Sequence, residues 1–213
     1  MSRRPELPDG YLGAQEEMEE VGMKPLTHKK EEFEISDNEV EIKFNLSDPV
    51  KVTTNLIKCK TDKDVSEHVF VQMEKSAISF EIGFPESGYY KFQIFALRQS
   101  NSSKSLPNVY NYLIQCKQAL NPVYPCPKQY VEFKNGCYLH EPKFLNSSIC
   151  VPNANHVAIV ANGEWTQLEN KGRDIWEIKT NMDQYRNKNV KVTLNANFVD
   201  DETKYATLLE YTI

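Results

Sequence analysis

Gly88-Tyr89-Tyr90-Lys91-Phe92-Gln93-Ile94-Phe95-Ala96 places Tyr90, Phe92, Ile94 and Ala96 on one side and more polar residues between them. That period of two is the pattern of a strand with one face buried. The pattern returns as Lys188-Asn189-Val190-Lys191-Val192-Thr193-Leu194-Asn195-Ala196. Each copy ends in alanine and passes through a polar stretch into a second apolar run. These runs are Tyr110 to Cys116 in the first copy and Tyr205 to Tyr211 in the second. A repeat of about 100 residues is the size of one β-sandwich domain. The chain therefore reads as two sandwiches in tandem.

The approach to the first copy carries a second signal. Glu86-x-Gly88-x-Tyr90-x-Phe92 has the shape of an immunoglobulin-type turn and strand. In that fold a tyrosine lies two residues before the second core cysteine and bonds back to the nearby backbone. Here Phe92 takes the cysteine position, so packing replaces the disulfide. Tyr90, Phe92 and Ile94 are expected in the core.

Working outward, residues 1–30 read as a partly docked N-terminal arm, with a short helix over Gln15 to Val21 that stops at Gly22. Alternation begins at Val40, Ile42, Phe44 and Leu46 and defines a first sandwich over 31–118. Pro122, Pro125 and Pro127 make 119–128 a stiff connector. A second sandwich follows over 129–213, opening with strands at Tyr130 to Phe133 and Cys137 to His140 around an Asn135-Gly136 turn. Trp165 and Trp176 each sit in an alternating run and are expected in the core; an aromatic ligand platform is the alternative. The fold class is all-β, with little helix outside the arm.

Composition narrows the function. Aromatic residues make up 11% of the 213, which disordered chains lack. The net charge is −5 and no basic stripe appears, which argues against nucleic-acid binding and electrostatic membrane attachment. No apolar run reaches the length of a membrane span. The first residues, Met1-Ser2-Arg3-Arg4-Pro5, do not resemble a signal peptide. The expected location is therefore cytoplasmic, and the five cysteines are expected to be free thiols.

No catalytic, metal or cofactor site is expected. Cys137 and His140 lie three apart on a strand and so face opposite ways. No Cys-x-x-Cys, paired-histidine helix or phosphate loop is present.

Several motifs together resemble the C-terminal immunoglobulin-like region of the kyphoscoliosis peptidase and hillarin family. They are Leu7-Pro8-x-x-Tyr11-Leu12-Gly13, Thr27-His28, Phe84-Pro85-x-x-Gly88-x-Tyr90-x-Phe92-x-Ile94-x-Ala96, Val157-Ala158-Ile159-Val160 with Trp165-x-x-Leu168 and Trp176, and Leu208-Leu209-Glu210-Tyr211. In those proteins a transglutaminase-like domain carries the catalytic Cys, His and Asp. No segment here matches that domain, so the resemblance implies no catalytic residue. It implies a non-catalytic module binding protein partners, cytoskeletal ones among them. The alternative it allows is an accessory that positions substrate for a separately encoded transglutaminase-like peptidase.

Overall fold

A computed structural model of the chain describes residues 3–74, 76–130, 138–139, 148–179, 183–185 and 188–212. The turn expected at Asn135-Gly136, and Cys137 and His140 beside it, lie outside the described residues. The chain divides into two compact units, Met1–Val71 with Lys75–Pro125, and Gln72–Glu74 with Cys126–Ile213.

The first unit runs β1 (Gly13–Ala14), α1 (Met18–Val21), β2 (Met23–Pro25), β3 (Glu32–Ile35), β4 (Glu39–Leu46) and β5 (Val50–Lys58). It continues through β6 (Lys63–Asp64), the first half of β7 (Val69–Glu74), β8 (Ala77–Gly83), β9 (Gly88–Arg98) and β10 (Asn108–Cys116). One sheet has the order β2-β4-β8-β7 and the other β1-β10-β9-β5-β6, with β3 also on β10. These are the A-B-E-D and G-F-C arrangements of an immunoglobulin sandwich. Pairing is antiparallel except that β3 runs parallel to β10, from Glu32 opposite Leu113 to Ile35 opposite Cys116.

Alternation on β9 buries Tyr90, Phe92, Ile94 and Ala96 completely. Phe92 on one sheet meets Phe80 on the other edge-on, with ring centroids 5.6 Å apart. It also stacks on Tyr112 at 6.3 Å. Phe44 closes the cluster against Phe80 and Tyr110. Aromatic contacts thus span the core where an antibody domain has its disulfide.

The Tyr90 hydroxyl donates to the Glu86 carbonyl at 2.7 Å, forming a tyrosine corner at the turn before β9. Burial pushes the phenol up to about 12. The same turn is held from outside, because the buried Lys58 ammonium pairs with the Glu86 carboxylate and keeps its pKa below the ordinary value. Tyr90→Phe removes one hydrogen bond and little volume. It should cost about 0.5–1.5 kcal/mol by urea unfolding. An unchanged midpoint would show that the corner bond contributes nothing.

The arm is docked along the first unit. β1 joins β10, β2 joins β4, and the Arg4 guanidinium clasps the Glu32 carboxylate at 2.7 and 2.8 Å. Helix α1 is shorter than the sequence suggests, but Met18 and Val21 are buried and Gly22 caps it in the left-handed region at φ 79°. The start of the Pro-rich connector also lies on this unit. Asn38 donates to the Asn121 carbonyl at 2.8 Å, and Val123 occupies the space a side chain at Gly83 would need.

The second unit runs β11 (Lys128–Gln129), β12 (Tyr138–Leu139), β13 (Ser148–Cys150), β14 (His156–Ala161) and β15 (Glu164–Gln167). It ends with β16 (Glu169–Gly172), β17 (Ile175–Glu177), β18 (Lys191–Asn197) and β19 (Ala206–Thr212). Its sheets are β11-β19-β18-β14-β15 and β12-β13-β17-β16. The strand order matches the first unit, so the sequence repeat falls on the same pair of neighbouring strands in each: β9 and β10, then β18 and β19. Val157, Ile159, Val192, Leu194, Leu208 and Leu209 form the core with Trp176. The tyrosine corner has no counterpart here, because Val190 stands where the first unit has Tyr90.

Candidate interaction surface

The expectation that Trp165 is core is corrected. Trp165 is 55% exposed, whereas Trp176 is 4% exposed. The reason is strand geometry. Trp165 and Leu168 are three residues apart, so on a strand they point to opposite faces. Leu168 takes the core side. Trp165 lies opposite Val160, which is only half-buried, on the outer face of the sheet.

Trp165 is not loosely placed. Its ring meets Tyr205 edge-on, with centroids 5.0 Å apart. Tyr205 comes from the connection between β18 and β19. Its hydroxyl accepts from the Gln167 side-chain amide at 3.0 Å. Two residues of β15 therefore hold one aromatic ring from the neighbouring loop, and together they present an ordered aromatic surface.

Two edge strands of this unit, one from each sheet, differ. Edge strand β16 carries charges and an irregular register between Asn170 and Gly172. Lys171 contacts Glu169 at 2.7 Å and Glu177 at 3.1 Å, and Lys179 contacts the same two carboxylates at 2.7 and 3.0 Å. The two lysines bring Glu169 down to about 2. Lysines, bulges and charge are how sheet edges are blocked from further pairing. Edge strand β15 is Glu164-Trp165-Thr166-Gln167, exposed throughout, in continuous register with β14, and without lysine, proline or bulge.

Three described thiols are shifted away from the thiolate. Cys59, Cys116 and Cys150 are free, and burial pushes all three up. A nucleophilic cysteine needs the opposite shift. Cys116 sits against the Asp37 carbonyl at 3.9 Å. His28 packs on Phe33 at 4.6 Å, and His68 faces Glu67 at 3.8 Å. Among the described residues no group of three His, Cys, Asp or Glu side chains converges as metal ligands would. A shallow hollow of about 590 Å³ in the first unit lies between Glu17, Glu20, Leu97 and the 100–107 loop. Its arginine, Arg98, is already engaged with the Glu20 carbonyl at 2.8 Å and Asp48 at 3.5 Å.

Sequence reading missed that His68 is buried. Among the described residues its Nδ1 has no hydrogen-bond partner. Burial holds the ring below its ordinary value of 6.5, against the opposing pull of Glu67. The unfolded chain thus takes up this proton at higher pH than the folded unit. The contribution to stability is complete above about pH 6.5 and is lost as pH falls through the interval down to the folded value. His28 shifts in the same direction for the same reason. The unfolding midpoint should decline between about pH 7 and pH 5, and His68→Gln should flatten that decline. An equal slope in the variant would remove His68 as the cause.

A family model described as KY-like, immunoglobulin-like domain matches residues 6–127. The chain belongs to this family. The KY-like match takes in the whole first sandwich and most of the docked arm and of the connector. No curated protein matches the chain. Among solved structures, the periplasmic chaperone SfaE is similar at 9% identity, over 90% of this chain and 100% of that one, with a TM-score of 0.32. The titin domains Z1Z2 in complex with telethonin are similar at 12% identity, over 90% and 95%, with a TM-score of 0.25. The FN1–FN3 domains of chicken CNTN1 are similar at 12% identity, over 85% and 61%, with a TM-score of 0.24.

Proposed function

We propose that this KY-like chain is a non-catalytic protein-binding module, acting in the cytoplasm on cytoskeletal partners and needing no cofactor. The observation that carries the reading is the ordered aromatic surface of Trp165 and Tyr205 beside an unguarded sheet edge. Exposed aromatics anchor protein interfaces, and open edges accept partner strands. The upward-shifted thiols support the non-catalytic part. The net charge of −5 supports a protein partner over nucleic acid or an anionic membrane. The cytoskeletal part rests on the family resemblance alone.

The second reading is an accessory to a transglutaminase-like peptidase. Two measurements on the purified chain separate the readings: turnover of a peptide or amine-acceptor substrate, and co-sedimentation with cytoskeletal filaments. The module reading expects filament association and no turnover. Turnover abolished by replacing one cysteine with alanine would overturn it. No turnover and no filament association would favour the accessory.

A further inference from the structure

The geometry points to β15 as an acceptor for an extended, basic peptide strand, which adds antiparallel or parallel to the free edge and lays a lysine or arginine over Trp165. This rests on the binding-module reading above and names the partner chemistry of its surface.

The backbone is oriented for it. Leu168 N–H donates to the Val157 carbonyl of β14 at 2.8 Å. On an antiparallel pair the backbone groups of successive residues alternate in direction. Thr166 and Glu164 therefore face β14, as Leu168 does. The N–H and C=O groups of Trp165 and Gln167 turn to the open side. Among the described residues no strand pairs there, and all four side chains of β15 are exposed. The edge strand β16 of the same unit is instead blocked by lysines, glutamates and an irregular register.

Charge selects the occupant. The Trp165 side chain stands on the outer face of β15, in cross-strand reach of a residue on an added strand, and an indole face attracts a cation. The surroundings are acidic. Glu164 is exposed on β15, and the connection that brings Tyr205 to Trp165 carries Asp200, Asp201 and Glu202 against Lys204. Asp201 is engaged with Lys204 at 3.3 Å and with the Thr203 hydroxyl at 2.6 Å. A strand with basic residues at alternate positions matches both the ring face and the carboxylates. An acidic strand would meet repulsion at each.

The test uses the full chain and a fluorescent peptide of about eight residues, enough to match the strand, alternating arginine and valine. A twin carries glutamate in place of arginine. The arginine peptide should bind saturably, weaken as salt rises and quench the exposed tryptophan; the twin should not bind. Trp165→Ala should weaken binding by about tenfold. Gln167→Pro removes a donor aimed at the partner while leaving the bonds to β14, so it should abolish binding. Gln167→Ala loses the same side chain, with its hold on Tyr205, but keeps that donor, so it should bind clearly more tightly than Gln167→Pro. Circular dichroism confirms that each variant is folded. Equal binding of both peptides, no binding, or binding indifferent to Trp165→Ala and Gln167→Pro would overturn the proposal. So would sedimentation showing a dimer that Gln167→Pro dissolves, because the occupant would then be a second copy. If a filament partner is retained equally by wild type and Trp165→Ala, the edge fails as the surface and the module reading stands. Cysteine-dependent turnover would bring down the module reading itself.

Discussion

Phe92→Ala is expected to lower the stability of the first unit by about 3–5 kcal/mol, the usual cost of removing a fully buried phenylalanine. Phe92 has no exposed surface. Its ring contacts Phe80 across the sandwich and stacks on Tyr112 within its own sheet. The neighbours are large rings on two hydrogen-bonded sheets, so they cannot collapse far into the space left behind. No disulfide supports this position, and the aromatic cluster carries the role alone. Urea unfolding followed by far-ultraviolet circular dichroism measures the loss. Tryptophan emission identifies the transition of the second unit, because both tryptophans lie there. A loss below about 1 kcal/mol would mean that the core repacks freely around the site.

The second large effect divides the tryptophans. Trp176→Ala should cost about 3–5 kcal/mol in the second unit, because the indole is almost wholly buried. Among the described residues its Nε1 has no hydrogen-bond partner. Trp176→Phe keeps a ring while removing that unsatisfied donor, so it should cost less than half as much. Trp165→Ala should change stability by about 0.5 kcal/mol, as exposed substitutions do. The same change should weaken partner binding. Similar stability losses at the two positions would contradict their assignment to core and surface.

The strands that carry the repeat were legible because each is half-buried, and burial on one face writes a period of two into the residues. Tyr90 and Phe92 could be placed from local spacing, since the corner joins residues only four apart. Trp165 could not. It reads as core because it is taken with Leu168 as one alternating run, yet a strand separates residues three apart onto opposite faces. The short strands β1 and β2 carry no periodic signal, and they exist because β10 and β4 offer them an edge. Strand β16, Glu169-Asn170-Lys171-Gly172, is wholly polar and is held by its pairing with β17 and by charge contacts. Which strand ends a sheet is a matter of long-range pairing, so the contrast between β15 and β16 became visible only in three dimensions.

The burial of His68 was hidden for a related reason. Ser66 to His68 form a short 3-10 turn before β7, and nothing in the local sequence separates a solvated turn histidine from one covered by neighbouring chain. Asn38 is another buried polar residue whose role depends on distant partners, the carbonyls of Phe84 and Asn121.

The central claim is that this chain acts through an open sheet edge. Residue-resolved amide hydrogen exchange on the free protein tests it most directly. The open edge predicts fast exchange at Trp165 and Gln167, whose N–H groups face outward, and slower exchange at Thr166 and Leu168, whose N–H groups face β14. Slow exchange at Trp165 and Gln167 in the free chain would mean the edge is already occupied, and would contradict it.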